Sequence, residues 1–465
     1  MKLIYNVDAK PKQMGYWNTV VFAIQQLLAI MAATLVVPVI INSNMIDAGM
    51  ESPAMSSAAA LFGAGVGTLV YLLFTRRKSP VFLGSSFAFI GSMTAAFAGA
   101  ATIGLGYLGL IIGAAVAGLV YVIIALIVKL CGVAWINKIM PTVVIGPTVT
   151  IIGLSLAKNA VGDMTKSGTG VASPYVCLIC ALVTLAVTMI CSAYGNKKIR
   201  LIPFIIGVLA GYAVAAIFTF IGMAANLDAL KVINFSAITS LWEGGIGLHT
   251  FLDVDPHKFT FVNALGGFKN FNLSYLITVV IAYAPVAFVV FAEHIADHKN
   301  LSTIIEKDLL EEPGLSNTLL GDGIGSIAGA LFGGCPNTTY GESVGCVAIT
   351  RNASVATISA TAILSILVSF VSPFVAFLDS IPGCIMGGVC ITLYGFIAVS
   401  GLKMIKNVDL ENNANLFTVS VILITGVGGM SMAIGEVVIT AIACALILGI
   451  IVNILLNKFK KEDKQ

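Results

Sequence analysis

Long apolar segments recur along almost the whole chain, separated by short polar or charged breaks. Segments of about 17–25 mainly apolar residues are long enough to cross the hydrocarbon core of a bilayer as helices. Seven precede a polar stretch at 224–272, near 17–41, 57–74, 80–99, 104–130, 140–158, 173–195 and 200–222. Seven more follow it, near 274–296, 317–334, 336–350, 353–377, 382–405, 415–430 and 435–457. The pattern predicts an all-α polytopic membrane protein with 14 transmembrane segments.

Composition agrees with a membrane protein and argues against several other classes. Of 465 residues, 58% are hydrophobic and 10% charged, whereas soluble domains average about 25% charged residues. The net charge of +3 gives no indication of nucleic acid as a partner. Cys177 and Cys180 have a metal-like spacing but no second pair, so no metal site is predicted. Because no nucleophile–base pair or large extramembrane domain is recognisable, the chain is not expected to be an enzyme.

The positive residues are distributed unequally between the two sides of the predicted membrane. Twenty of the 25 Lys and Arg residues fall on the side of the N-terminus: Lys2, Lys10, Lys12, Arg76, Arg77, Lys78, Lys129, Lys138, Lys197, Lys198, Arg200, Lys299, Lys307, Arg351, Lys403, Lys406, Lys458, Lys460, Lys461 and Lys464. The other side holds Lys158, Lys166, Lys231, Lys258 and Lys269. The positive-inside rule then predicts a multi-pass protein of the inner (cell) membrane with both termini cytoplasmic.

Two halves of seven segments each have opposite orientations, so the pattern predicts a 7+7 inverted repeat. The third segment of each half begins with proline and soon reaches a glycine, at Pro80 and Gly84 and again at Pro336 and Gly341. Proline and β-branched residues favour an extended stretch, and glycine permits a close turn. We therefore expect short strands and half-helices in segments 3 and 10, next to a substrate site near the bilayer midplane.

Four carboxylates lie within or beside apolar segments: Glu293, Asp297, Asp322 and Glu342. An ionisable residue in a membrane span indicates function by default. For Asp297 and His298 a solvated position at the end of the span is an alternative, and for Asp322 a structural hydrogen bond is another. Carboxylate acceptors beside free N–H groups at a helix N-terminus suit a flat heterocycle with ring N–H and carbonyl groups. Phe87 and Tyr340 are aromatic residues that can pack on such a ring.

Four sequence stretches resemble the bacterial uracil permeases of the nucleobase/ascorbate transporter family, also called nucleobase:cation symporter-2. They are 84–89 (Gly-Ser-Ser-Phe-Ala-Phe), 292–294 (Ala-Glu-His), 336–342 (Pro-Asn-Thr-Thr-Tyr-Gly-Glu) and 345–351 (Gly-Cys-Val-Ala-Ile-Thr-Arg). The resemblance runs from about Gln25 to Ala443. It implies a secondary active transporter that imports uracil by proton symport with alternating access, works without a cofactor and forms a homodimer in the lipid membrane.

The resemblance also implies a domain organisation. Residues 1–131 and 273–378 would form a core domain of spans 1–4 and 8–11, and 132–223 and 379–465 a gate domain of spans 5–7 and 12–14 with a cytoplasmic tail. Residues 224–272 would be an external loop. An anion carrier of the related sulfate-transporter fold is an alternative class. Such carriers usually have a soluble C-terminal domain, whereas a short basic tail stands here.

Roles for individual residues follow from the same resemblance. The residues expected to bind the substrate are Phe87, Glu293, Tyr340, Gly341, Glu342 and Tyr394, the last on the gate side. Independently of the resemblance, the ionisable residues within or beside the apolar segments that are expected to take part in proton coupling are Glu293, Asp297, His298 and Asp322.

Three residues depart from the uracil permease pattern, which has histidine, histidine and asparagine at the positions of Gln26, Asp297 and Ser343. The departures leave open a xanthine or uric acid carrier of the same family. Because Glu293 and Asp297 share a helix face, a sodium-coupled nucleobase symporter is the other alternative.

Overall fold

The computed structural model describes residues 3–132, 134–196, 199–243, 245–434 and 437–462, most of them in α-helices. The helices of the first half are α1 Pro11–Met14, α2 Tyr16–Asp47, α3 Ser57–Phe74, α4 Ile90–Ala98, α5 Ile103–Cys131, α6 Ala134–Ile139, α7 Thr142–Ser155, α8 Ala157–Asp163, α9 Pro174–Tyr194 and α10 Pro203–Ala224. Short helices follow in the connection between the halves, at α11 Ser236–Thr239, α12 Leu248–Phe251 and α13 Thr260–Ala264.

The second half begins with the longest of these helices. Its helices are α14 Leu273–Ile305, α15 Leu315–Gly333, α16 Gly341–Thr350, α17 Val355–Val368, α18 Ser372–Asp379, α19 Gly383–Ile405, α20 Asn413–Val427 and α21 Ala441–Glu462. Side-chain caps start several of them: Ser56 accepts from the backbone N–H of Ala59, and Asn272 from that of Tyr275. Such caps satisfy N–H groups that have no acceptor within the helix.

Four short strands accompany the helices as two antiparallel pairs. Strand β1, Leu83–Ser85, pairs with β2, Asn337–Thr339, and Gly84 lies opposite Thr338. Strands β3, Met432–Ile434, and β4, Val437–Ile439, form the other pair. The β1–β2 pair joins the two halves of the chain at the broken third segments, where strands leading into half-helices were predicted.

The predicted fold class is confirmed. Eight helices of the described residues, with α7 and α8 taken together as one, are long and apolar enough to cross a membrane, and three further apolar helices are shorter. Three predicted segments are more broken than expected. Segment 140–158 contains α7 and the start of α8, 353–377 contains α17 and most of α18, and strand β4 precedes α21 in the last segment, 435–457. Segment periodicity does not show these interruptions, because the side chains remain apolar on both sides of them.

The helices pack in two groups. In one group, α3 and α5 pack against α15, α5 also packs against α14, and α17 packs against α2 and α3. In the other, α7 packs against α19 and α20, α9 against α10 and α19, and α20 against α21. Between α3 and α15 the backbones touch, since a Cβ at Gly63 would lie 2.4 Å from the carbonyl oxygen of Gly329.

Candidate substrate-binding site

A cavity of about 460 Å³ lies between the two groups of helices. On the side of the first group its wall contains Phe87, the α14 face with Glu293 and Asp297, strand β2 and the first turn of α16. On the other side the wall is mainly apolar, with Val149, Phe204, Phe396, Ile397 and Met404. The cavity reaches the surface at one end, where it is lined by the exposed residues Arg200, Asn300 and Lys403.

Three of the four carboxylates singled out from the sequence line this one cavity. Glu293 and Asp297 lie one turn apart on α14, and Glu342 is the second residue of α16. The first N–H groups of α16 have no acceptor within the helix, and α16 begins at Gly341 on the cavity wall. Hydrogen-bond acceptors and donors therefore stand side by side on one wall of the cavity.

Strand β2 holds Asp297 in place. The hydroxyl of Thr339 donates a hydrogen bond to Oδ2 of Asp297 at 2.7 Å, and both residues belong to the cavity wall. Oδ1 of Asp297 lies on the side of Gly341, 3.9 Å from where a Cβ of that glycine would stand. Asp297 thus connects α14 to the start of α16, and it is not a freely solvated residue at a helix end.

Phe87, Tyr340 and Gly341 also lie in the cavity wall. The hydroxyl of Tyr340 points into the strand pair, where it donates to the carbonyl of Ser85 at 2.8 Å. A Cβ at Gly84 would lie 2.3 Å from the Tyr340 ring, so only glycine leaves room for that ring. The sequence suggested a turn at Gly84. The structure instead shows a close approach within strand β1.

Tyr394 lies one layer behind the wall. Its ring packs edge-on against that of Phe87, with 5.6 Å between the ring centroids, and it is buried. On the same helix α19, Phe396, Ile397 and Ser400 line the cavity instead.

His298 and Asp322 lie behind the cavity wall, in a fully buried polar network. Nδ1 of His294 is 2.7 Å from Oδ2 of Asp322, and Nε2 of His294 is 3.0 Å from the Thr318 hydroxyl. Thr318 donates its own proton to the carbonyl of Leu315. Thr318 therefore accepts a hydrogen bond from the Nε2–H group of His294. The contact between Nδ1 of His294 and Oδ2 of Asp322 is then made with a single proton, which lies between these two atoms.

His298 continues this network towards α3. Its ring stacks on that of His294 at a centroid distance of 4.0 Å, and its Nε2 is 2.7 Å from the Tyr71 hydroxyl. Tyr71 in turn bonds to the hydroxyl of Ser79 at 2.7 Å. One residue along a helix turns a side chain by about 100°, which is why Asp297 reaches the cavity and His298 does not.

Two of the departures from the uracil permease pattern are in contact with each other. Nε2 of Gln26 on α2 donates to the Ser343 hydroxyl at 2.6 Å, and both side chains are buried. The backbone N–H of Phe82 donates to the same hydroxyl at 3.3 Å. Gln26 and Ser343 thus join α2 to the first turn of α16, directly after Glu342.

Sequence reasoning missed Thr339, His294 and the cavity-lining residues of α19. Thr339 stands within a recognisable motif, but its bond to Asp297 depends on the turn between β2 and α16. His294 is adjacent to Glu293, and nothing in the spacing pairs it with Asp322, 28 residues later. Among the described residues, no three His, Cys, Asp or Glu side chains converge on a metal-binding geometry.

Residues 17–435 match the model of a group described as the Permease family. The chain belongs to this permease family. It is 36% identical to the uracil permease of Bacillus subtilis (strain 168), over 96% of this chain and 94% of that relative. It is 33% identical to the uracil permease of Escherichia coli (strain K12), over 93% of this chain and 90% of that relative. Membership of the permease family points to a multi-pass membrane transporter and not to an enzyme.

Solved structures of other transporters share the fold of this permease. The transmembrane domain of the cyanobacterial bicarbonate transporter BicA matches with a TM-score of 0.60 at 14% identity, over 97% of this chain and 99% of that chain. SLC26A9 matches with a TM-score of 0.62 at 12% identity, over 97% of this chain and 66% of that chain. At such identities the likeness concerns the fold alone.

Proposed function

We propose that this permease imports uracil across the cell membrane by proton symport, with alternating access to one central site. The observation that carries the proposal is the cavity in which Glu293, Asp297 and Glu342 stand beside the first turn of α16. Three carboxylates around one small cavity require ligand groups that donate hydrogen bonds, or protons, to keep them from repelling one another.

Uracil carries hydrogen-bond donors that suit the carboxylates of this wall. Its two ring N–H groups are donors for Glu293 and Glu342, and its two carbonyl oxygens are acceptors for backbone N–H groups such as those of α16. Phe87 gives an aromatic face beside these groups, and the apolar wall with Phe204 and Phe396 gives the flat ring a surface from which water is excluded. The names of the uracil permeases that this chain resembles support the same substrate.

For proton coupling we assign the first role to Glu293 and Asp297, because both line the cavity and both lie within the span of α14. Proton relays of this kind use carboxylates that face the interior of a helix bundle. Asp322 and His298 take part from behind the wall, where the buried His294–Asp322 pair shares a proton. Sodium in place of the proton is the alternative that the same two α14 carboxylates leave open.

Alternating access is supported by the two packing groups and by the position of the cavity between them. The cavity reaches the surface at the end that holds Arg200 and Lys403, which the positive-inside rule assigns to the cytoplasm together with both termini. The structure would then represent the inward-facing state. Exposed apolar residues on α9 and α10, such as Leu182 and Phe220, provide a surface for lipid or for a second copy in a homodimer.

The deciding experiment is uptake of radiolabelled uracil into liposomes that contain the purified protein, driven by an inward proton gradient. We expect gradient-dependent uptake that excess xanthine does not inhibit. The variant Glu342→Gln keeps the shape of the side chain but loses its charge. A hydrogen bond to a charged group contributes about 1.5–3 kcal/mol, so we expect the variant to bind uracil about 10- to 100-fold more weakly.

Glu312→Gln serves as the matched control, since Glu312 lies in the short π-helical turn before α15, exposed, paired with Lys78 and outside the cavity wall. Uptake of xanthine in place of uracil would move the assignment to a purine carrier. Uptake that is driven by a sodium gradient and not by a proton gradient would show that sodium is the coupling ion. Unchanged uracil binding by the Glu342→Gln variant would show that Glu342 does not bind the substrate.

A further inference from the structure

A polar cluster joins the two groups of helices at the end of the molecule opposite the cavity opening. Lys166 follows α8, and its carbonyl accepts from the backbone N–H of Cys384 at the start of α19, at 2.8 Å. Lys403 lies near the other end of α19, at the mouth of the cavity. A helix of 23 residues is about 34 Å long, so the cluster and the opening lie on opposite sides.

Lys166 uses its three N–H groups on three partners. Nζ donates to the Ser43 hydroxyl at 2.6 Å and to Oδ2 of Asp47 at 2.6 Å, and it lies 3.0 Å from Oδ1 of Asp163. Asp163 belongs to α8, but Ser43 and Asp47 belong to the last turns of α2 in the other group. The ammonium group is thus shared between the two groups of helices.

Two further hydrogen bonds cross the same boundary. The Ser43 hydroxyl donates to Oδ1 of Asp163 at 3.2 Å, and Nδ2 of Asn159 on α8 donates to Oδ1 of Asn44 on α2 at 2.6 Å. Burial lowers the pKa of Lys166, but its hydrogen bonds to Asp47 and Asp163 outweigh that effect and leave the pKa above its ordinary value. The ammonium therefore stays charged at all physiological pH values.

We propose that residues Ser43, Asn44, Asp47, Asn159, Asp163 and Lys166 form a latch that closes the side of the molecule opposite the cavity opening. This proposal rests on the alternating access proposed above. Opening a path to the cavity from that side requires α2 to separate from α8, and that separation breaks every contact between the two helices in the latch. A contact made in only one of two states shifts the population towards that state.

The size of the shift follows from the exposure of the groups. The side chains of Lys166 and Asp47 are 36% and 56% exposed, and exposed ion pairs have small energies. We expect loss of the Asp47 charge and the Ser43 hydroxyl, the two α2 groups that bind Lys166, to shift the ratio of the two states about two- to five-fold. The latch thus keeps this side closed in the resting state of the protein without preventing transport.

The test weakens the contacts of Lys166 with α2, using the double variant Asp47→Asn, Ser43→Ala, and leaves the Asn44–Asn159 bond in place. These changes leave the Lys166–Asp163 pair in place, so Asp163 keeps its partner. The control is Asp228→Asn, which removes a 2.7 Å pair with Lys231 on the same side of the molecule but within one group of helices. The readout is hydrogen–deuterium exchange of the purified full-length protein in lipid nanodiscs, without substrate.

We expect two opposite changes in the double variant and neither in the control. Exchange becomes faster in peptides covering the end of α2 and in those covering α8, because they separate more often. Exchange becomes slower at the cavity-lining part of α16 and at the end of α19, because that side closes more often. This decrease is smaller than the increase at α2 and α8, which is about two- to five-fold, because the state with the open cavity remains the more populated one.

Three possible outcomes decide whether the cluster acts as a latch, and none of them depends on the substrate. Opposite changes at the two sides in the double variant alone support the latch. Faster exchange confined to α2 and α8, with the cavity wall unchanged, would reduce the cluster to a local contact and overturn the proposal. Equal changes in Asp228→Asn would overturn it as well. Because no uracil is added, a failure of the uracil assignment leaves this result standing.

Discussion

At the scale of residues, the site depends on which face of a short element each side chain occupies. On α14, Glu293 and Asp297 reach the cavity while His294 and His298 turn away from it into a buried network. Sequence spacing predicted that Glu293 and Asp297 share a face, and the structure shows it. Sequence spacing could not predict the contact between Gln26 and Ser343, because 317 residues separate them.

Gly84→Ala tests the packing of the aromatic wall. The added methyl carbon would lie 2.3 Å from the Tyr340 ring, so the ring must move and its hydroxyl bond to Ser85 is lost. We expect overpacking to cost about 1–3 kcal/mol and to weaken uracil binding measured by calorimetry. Gly395→Ala on α19, where nothing lies within 4 Å of the new atom, is the control and should bind normally. Normal binding by Gly84→Ala would contradict this account of the wall.

The Gln26–Ser343 contact predicts that the two positions act as a unit. The variants Gln26→Leu and Ser343→Ala each break the 2.6 Å bond, and either one leaves a buried polar group without its partner. In a double-mutant cycle we expect a coupling of about 0.5–1.5 kcal/mol in uracil affinity. Simple additivity of the two effects would show that this bond does not position α16.

At the scale of elements, the two broken segments were the most predictable part of the fold. Proline and glycine positions predicted strands leading into half-helices, and the structure has β1 before α4 and β2 before α16. The breaks between α7 and α8 and between α17 and α18 were missed, because apolar composition continues through them. The α3–α15 seam was also missed, since a glycine that meets a distant backbone has no local signal.

Gly63→Ala tests that seam. The new Cβ would lie 2.4 Å from the carbonyl oxygen of Gly329, a backbone atom that no side-chain rotation relieves. We expect α3 and α15 to be pushed apart, at a cost of about 1–3 kcal/mol, and the melting temperature in detergent to fall. Gly395→Ala again provides the control, because alanine is the better helix former by about 1 kcal/mol. An unchanged melting temperature for Gly63→Ala would argue against backbone contact at this seam.

At the scale of the whole molecule, the arrangement is asymmetric along the membrane normal. The cavity reaches the surface beside Arg200 and Lys403, and the Lys166 cluster joins the two groups of helices on the opposite side. The sequence predicted the two sides from the distribution of Lys and Arg, but not which side is open. That depends on contacts between helices far apart in the chain, such as those of α2 with α8.

Labelling from each side of the membrane tests this asymmetry. Ser400→Cys places a thiol in the cavity wall, in a chain whose exposed cysteine is replaced by Cys131→Ser. We expect a membrane-impermeant maleimide to label it in inside-out vesicles, and uracil to slow the labelling. Glu51→Cys, at an exposed position beyond α2, should be labelled in right-side-out vesicles instead. Labelling of both thiols from the same side would contradict the proposed orientation.

The pairing of β1 with β2 has a consequence for the synthesis of the protein. The bond from Tyr340 to Ser85 spans 255 residues, and at about 5–20 residues per second a ribosome needs on the order of tens of seconds to make that length. During this interval residues 83–85 have no strand partner, although unpaired backbone is not tolerated in contact with lipid. The first half of the nascent chain must therefore keep this stretch shielded from lipid until the tenth segment has been made. The proposed substrate site forms only when that segment pairs with it.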